Sequence, residues 1–337
     1  MSDTYIIAEV GNNHNGSSNR AFELIDAALS TGVNAVKFQS FRGIDIVSPK
    51  MLSSEYKGWE NVGYKYWYQF AESIALPLDK HQEVINYTHK KGLSFITTPV
   101  SPYIVSYLEN LDGIDAYKIA SMDLNNYGLL KAISKTQKKV IISTGMANFS
   151  EISKAIELLG EREISILHCV SDYPLNPENA NLNNLKILMD KFPSNKIGFS
   201  DHSLGYELSL VAVAMGAEII EKHITLYRND KSPAEHHFSM EPDEFSEMVK
   251  WIRVLDKNLS NKSWSRSPDE GKGREMYRRS FHYKDKFMAG HTIKENDLVF
   301  VRPGYGVNYS DVENVIGHKL ARDVEEYEPC LLEHFDK

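Results

Sequence analysis

Cysteine is scarce in this chain: 337 residues contain two, Cys169 and Cys330. Two cysteines cannot make a disulfide framework or a four-cysteine zinc site, and their rarity fits a reducing compartment. Long apolar runs are also missing. No stretch approaches the ~18 residues of a membrane span, and the opening MSDTYIIAEVGNNHNG has neither the basic flank nor the apolar core of a signal peptide. Nor is there an excess of positive charge. A net charge of −8 argues against a general nucleic-acid or membrane-surface partner, so an anionic substrate has to be met by locally placed cations. The expected location is cytoplasmic. Finally, no glycine-rich phosphate fingerprint follows the first apolar run, which counts against an open doubly wound dinucleotide-binding sheet.

What the chain does have is alternation. Short apolar runs at 5–10, 34–39, 94–98, 115–119, 139–143, 164–169, 196–200 and 218–224 read as strands. Amphipathic stretches fill the gaps, among them 20–30, 78–91, 129–135, 150–159, 182–192, 205–215 and 242–255, with apolar residues three and four apart. Eight strand–helix units in about 250 residues predict an α/β fold, a (β/α)8 TIM barrel. Such a barrel puts its chemistry at the carboxyl ends of the strands. Those ends carry Glu9, Lys37 with Gln39, Thr98, Lys118 with Ser121 and Asp123, Ser143 with Thr144, His168, Ser200 with His202, and Glu221 with His223.

Two features at these ends point to chemistry. The stretch from Gly198 to Thr225 places His202 and His223 just past two strands joined by one helix, with Glu221 and His223 on one strand face. If the strands are parallel neighbours, both imidazoles emerge at the same end and can share a divalent cation with open positions. The structural alternative is that each histidine caps a strand and bonds a backbone carbonyl. Lys37 and Lys118 are the second feature, because an ammonium in a barrel mouth has to be paired. With the hydroxyls of Thr98, Ser121, Ser143 and Ser200 they form a cradle for a phosphate and a carboxylate. Here the alternative is a buried ion pair with Glu9 or Asp123.

Three stretches fall outside the barrel rhythm. Between Phe41 and Pro77 lies SSEYKGWENVGYKYWYQF, whose Trp59, Tyr64, Tyr66, Trp67 and Tyr68 either wall a sugar site or pack as a satellite cluster on the rim. Residues 261–279, polar and rich in serine and mixed charge, read as a linker after a 1–260 barrel domain. Residues 280–337 read as a small, mainly β domain. His236 and His237 are expected in an exposed polar loop.

Taken together, IIAEVGNNHNG, AVKFQSF, FITTPVS, AYKIASMDLNN, IISTGMA, LHCVSDYP, GFSDHSLGY, IIEKHITL and FSMEPDEF resemble the sialic acid synthase family, the N-acetylneuraminate synthases and their nonulosonate relatives. The tail, with RSFHYKDKFMAG and VRPGYG, is similar to that family's C-terminal antifreeze-like (SAF) domain. The resemblance implies an enzyme that condenses phosphoenolpyruvate with an N-acylated hexosamine aldehyde such as N-acetylmannosamine, with water, and releases phosphate. It implies that His202 and His223 hold manganese, with magnesium or cobalt as alternatives. Lys37, Thr98, Lys118, Ser121, Ser143 and Ser200 would hold phosphoenolpyruvate. Glu9, Lys118 and Asp123 would be catalytic, with Glu9 stabilising the cation at the enol-ether carbon or orienting the water that adds there. Gln39, Tyr173 and Glu235 would contact the sugar. Arg302 would reach the N-acyl group in a neighbouring subunit's barrel, which implies a domain-swapped homodimer.

The sequence departs from the family pattern at Ser121-Met122-Asp123, at Pro233-Ala234-Glu235 and in the loop around Trp59. All three are expected near the sugar. Phe238-Ser239 looks more like the pseudaminic acid branch, AEVGNNHNG and KFQSF more like the sialic and legionaminic branches, so a pseudaminic or legionaminic acid synthase acting on a 2,4-diacetamido-trideoxyhexose stands as the alternative. Two rival classes are a Schiff-base aldolase using Lys118 and a carbohydrate-binding protein without turnover.

Overall fold

The computed structural model describes residues 3–55, 62–232, 234–260 and 263–335. It divides into two compact units, Met1–Ser260 and Asn261–Lys337. Trp59 and Pro233, singled out above, lie outside the described residues.

In the first unit, eight strands close into a parallel barrel in sequence order. They are β1 (Tyr5–Gly11), β2 (Ala35–Ser40), β3 (Ser94–Pro99), β4 (Ala116–Ile119), β5 (Lys139–Ser143), β6 (Ile164–Cys169), β7 (Lys196–Asp201) and β8 (Ile219–His223). Closure is made by β1 and β8, whose register runs from Tyr5↔Ile219 to Glu9↔His223. The helices in this unit are α1 (Ser18–Thr31), α2 (Gly43–Ile46), α3 (Trp67–Ile74), α4 (His81–Lys90), α5 (Pro102–Leu108), α6 (Tyr127–Ile133), α7 (Phe149–Leu159), α8 (Asn184–Lys191), α9 (Glu207–Ala214) and α10 (Pro242–Leu259). This is the (β/α)8 barrel, with α2 and α3 added in the connection after β2.

Local signals set the helix ends. The Ser17 hydroxyl accepts from the Arg20 amide at the start of α1, and Gly32, at φ +82°, ends it in a left-handed turn that a side chain would disfavour. Asn148 and Glu151 form a reciprocal capping box on α7.

The strand period of two divides the apolar residues into two populations. Outward residues such as Ile6, Val36, Phe95, Tyr117, Ile142, Ile166, Phe199 and Ile220 pack under the helices in one large core. Inward residues Ile7, Ala35, Ile96, Ala116, Ile141, Leu167 and Ile219 fill the lower barrel. At the corresponding position β7 has Gly198, where a Cβ would collide with the Ile219 carbonyl and Leu167. Phe41, Trp67, Phe70, Ala71 and Ile74 form a satellite apolar cluster; of the rings singled out above, it takes in Trp67.

The second unit contains β9 (Ser280–Tyr283) paired antiparallel with β10 (Leu298–Val301), over a core of residues including Tyr283, Ile293, Val315, Leu320 and Cys330. The stretch read as a linker is not extended throughout. It holds α11 (Pro268–Tyr277), because Ser267 and Glu270 make a capping box, Pro268 opens the first turn and Asp269 and Glu270 sit at its amino end. Among the described residues, no helix is long and apolar enough to cross a membrane.

Candidate active site

The next inward position on every strand, two residues beyond the apolar one, is small or polar. Ile7 is followed by Glu9, Ala35 by Lys37, Ile96 by Thr98, Ala116 by Lys118, Ile141 by Ser143, Leu167 by Cys169, Gly198 by Ser200 and Ile219 by Glu221. These eight line the floor of a cavity of about 410 Å³ at the carboxyl end of the barrel. Gln39, Ser121, Tyr173, His202, His223 and Glu235 join them there.

The charges on the floor are unevenly paired. Lys37 Nζ lies 3.0 Å from Glu9 Oε2 and 3.6 Å from Glu221 Oε1, all nearly or wholly buried. Burial opposes the charge on Lys37, but Glu221 and Glu9 outweigh it and hold its pKa above the ordinary lysine value. Lys118 is different: Nζ donates to Ser143 Oγ at 2.5 Å and to the Ile119 carbonyl at 3.2 Å. Burial pushes its pKa down, Glu221 only partly offsets this, and Lys37 adds to it.

The two floor carboxylates are driven apart. Burial raises Glu9, with Lys37 and His223 offsetting only part of the rise. Burial also opposes ionisation of Glu221, yet Lys37, Lys118 and the Ser200 hydroxyl, which donates to Oε1 at 2.9 Å, hold it down to about 2. Carboxyl groups separated in this way divide the labour of proton donor or acceptor and fixed anion.

The histidines stand with ring centroids 5.4 Å apart. His202 Nδ1 lies 3.0 Å from the Val170 carbonyl. With the proton there, Nε2 keeps its lone pair toward the cavity, where Ser200 Oγ is 3.5 Å away. His223 Nδ1 and Glu235 Oε2 face each other across 3.2 Å, and neither makes a hydrogen bond. Two imidazoles and a nearby carboxylate, with orphaned atoms directed inward, suit a divalent cation with open positions. Among the described residues, no three His, Cys, Asp or Glu donors converge into a shell by themselves. Gly11 makes room for the Glu235 carboxylate: at φ +54° its Cβ would overlap Glu235 Oε2.

Of the remaining expected residues, Thr98 accepts from Lys37 at 3.4 Å, and Ser121 Oγ accepts from the Gly145 amide at 3.0 Å. Gln39 Nε2 reaches Glu9 Oε1 at 3.5 Å. Tyr173, half exposed, lays its ring 4.2 Å from that of His202. Arg302 lies in the second unit directly after β10 with its side chain exposed.

Three expectations need correction. Asp123 is not brought to the cavity wall: the tight turn Ser121–Asp123 aims Ser121 and Met122 inward, while the Asp123 carboxylate accepts from Asn126 at 3.2 Å. His168 faces outward, because odd-numbered residues of β6 are the inward ones; it bonds the Ala180 carbonyl at 2.7 Å and stacks on Phe199. His236 is buried against Thr225 and Ser232 rather than exposed, and His237 lies exposed on the cavity rim. The site also takes in Glu221 and Cys169, which the two-residue period from Ile219 and Leu167 turns inward.

A closed barrel whose mouth gathers two buried lysines, carboxylates of divergent acidity and two histidines holds the groups that acid–base and electrostatic catalysis require. The chain belongs to the NeuB family, which it matches over residues 24–263. It is 38% identical over 326 residues to an uncharacterised protein of Methanocaldococcus jannaschii, covering 96% of this chain and 92% of that one. It is 35% identical over 333 residues to the N,N'-diacetyllegionaminic acid synthase of Campylobacter jejuni, covering 97% and 99%. Among solved structures, an N-acetylneuraminic acid synthetase of Leptospira borgpetersenii, crystallised with citrate, matches with a TM-score of 0.69 and 33% identity over 81% of this chain and 90% of that one.

Proposed function

We propose that this enzyme is a nonulosonic acid synthase that joins phosphoenolpyruvate to the aldehyde of an N-acylated amino sugar, adds water and releases phosphate. The observation that carries the reading is Lys118. Its ammonium is buried at 2% exposure, and among the described residues no carboxylate lies within ion-pair distance of it. A buried cation left in that state calls for an anion from outside. Phosphoenolpyruvate supplies one, and the hydroxyls of Thr98, Ser121, Ser143 and Ser200 supply its remaining hydrogen bonds. The relative from Campylobacter jejuni, named as an N,N'-diacetyllegionaminic acid synthase, supports the same chemistry.

In this reading, the methylene carbon of phosphoenolpyruvate attacks the aldehyde carbon and the enol-ether carbon becomes cationic. Glu221, ionised over the working range, stabilises that charge and keeps Lys37 and Ser200 in place. Glu9, with its raised pKa, receives the proton of the water that adds to the same carbon. That proton passes to the alkoxide left on the former aldehyde oxygen; phosphate then leaves with cleavage of its C–O bond, the added hydroxyl gives up its proton to it, and the keto acid remains. His202 and His223, with Glu235 beside them, would hold manganese or, in its place, magnesium or cobalt, which when bound polarises the sugar aldehyde. We also assign the second unit the role of an SAF domain, with Arg302 offered to a second copy of the chain in a homodimer; its exposure is compatible with that.

The sugar is narrowed by one wall of the cavity. Phe41, Ile46, Trp67, Phe70 and Ile74 face it from the end of β2, α2 and α3. Apart from the Trp67 indole N–H, the described side chains of this wall offer a sugar hydroxyl nothing to replace its lost water, whereas a deoxy carbon or an acyl methyl fits. This favours a 2,4-diacetamido-trideoxyhexose over N-acetylmannosamine. The test is phosphate release from phosphoenolpyruvate with each sugar, with manganese or with chelator. We expect metal-dependent release and a preference for the deoxy sugar of roughly 10- to 100-fold in kcat/KM, the range within which an apolar pocket rejects an added hydroxyl. No release with either sugar from folded, metal-loaded protein would sink the synthase reading. The lowered pKa of Lys118 also suits an amine nucleophile, so borohydride trapping of a keto acid on Lys118, unaffected by chelator, would replace it with an aldolase.

A further inference from the structure

Two buried charges adjoin the histidines in the chain without facing the cavity. Asp201 precedes His202 and Lys222 precedes His223, so the strand alternation turns both to the outer side of the barrel wall. They are register partners across β7 and β8, and each is 1% exposed. Lys222 Nζ lies 3.1 Å from Asp201 Oδ2 and donates to the Ser203 carbonyl at 2.7 Å. Asp201 Oδ1 accepts from the Ser203 amide at 2.9 Å and the Ser203 hydroxyl at 2.7 Å, while Oδ2 accepts from Ser209 Oγ in α9 at 2.6 Å.

The consequence concerns His202. It is enclosed between Asp201 and Ser203, which are tied to each other, and Ser203 is tied in turn to the residue that precedes His223. One ion pair therefore fixes the backbone at both imidazoles. Around it, Phe199 and Ile220 pack the same surface as part of the apolar core. Apolar residues would hold the wall as well as a desolvated ion pair does. They could not fix the direction of the amide and carbonyl of Ser203, and hence the exit of the chain past His202.

We propose that the Asp201–Lys222 pair is a positioning device for the metal-binding histidines, holding the two rings at a separation that one divalent cation can bridge. The proposal rests on the metal reading of His202 and His223, and the test separates the two. Manganese binding to the purified full-length protein, without substrates, is measured by electron paramagnetic resonance for the parent, for Asp201→Asn with Lys222→Met, for Ser209→Ala and for His202→Ala. The paired substitution removes both charges at similar volume and should fold, whereas either change alone would strand a charge or leave the partner unsatisfied. The expected result is a melting temperature near that of the parent with manganese bound about 10- to 100-fold more weakly, as when the supports of metal ligands are removed. Ser209→Ala should shift affinity in the same direction by less, and it decides the matter if the paired variant does not fold. Affinity within about twofold of the parent in a folded variant would overturn the positioning role. A parent that binds no manganese, or binding that survives His202→Ala, would overturn the metal reading and the proposal with it.

Discussion

The inward faces of the barrel strands carry two ranks of side chains two residues apart, and the ranks behave oppositely. The lower rank, from Ile7 to Ile219, is apolar and fills the barrel. The upper rank, from Glu9 to Glu221, puts two ammonium groups and two carboxylates in nearly as dry a place. The lower rank gains from burial through area and close packing. The upper rank is held there against a desolvation cost, which Lys37 recovers from two carboxylates and Lys118 does not. The contrast teaches that exposure alone does not separate stability from function in this barrel; the state of pairing does.

The contrast can be broken most strongly at Lys118. Replacing Lys118 by Met should lower kcat/KM by on the order of 10²- to 10³-fold or more, read as phosphate release, while the melting temperature holds or rises because an unpaired buried cation has gone. A large loss of stability would show instead that Lys118 belongs with the structural rank. One rank lower, Leu167→Ala should do the reverse. It should cost about 2–5 kcal/mol in urea unfolding, from lost transfer energy and the cavity left behind, with kcat changed little.

A third effect sharpens the comparison at the edge of the site. His14, fully buried in the loop after β1, has its pKa lowered by burial, first, and by His81, to about 4. The folded protein therefore binds this proton later than the unfolded chain does as pH falls. Its share of stability is complete above about pH 6.5, declines below that value and is lost by about pH 4, amounting to roughly 3 kcal/mol. His81, His168 and His236 are lowered in the same direction. Urea midpoints measured at pH 7.5 and pH 4.5 should fall steeply for the parent and less for His14→Gln; equal slopes would remove His14 from the account.

Much of this was legible in the sequence because it depends on local periods. Runs of β-branched residues and stretches with period 3.6 mark the strands and helices one at a time. Eight units in order then restrict the fold to a barrel, and the strand ends locate Glu9, Lys37, Lys118, His202 and His223. Tertiary structure decided which way side chains turn where the period breaks or where neighbours compete. A single tight turn after β4 sends Met122 rather than Asp123 to the cavity. The loop after β8 folds back on Thr225 and Ser232 and buries His236, which composition alone assigned to solvent. Closure of β1 against β8 brings Glu9, Glu221 and Lys37 together, more than 200 residues apart at the extremes, and shifts the acidities of the two carboxyl groups in opposite directions. No local pattern carries that information, because a pKa depends on which charges surround a group once water has been excluded.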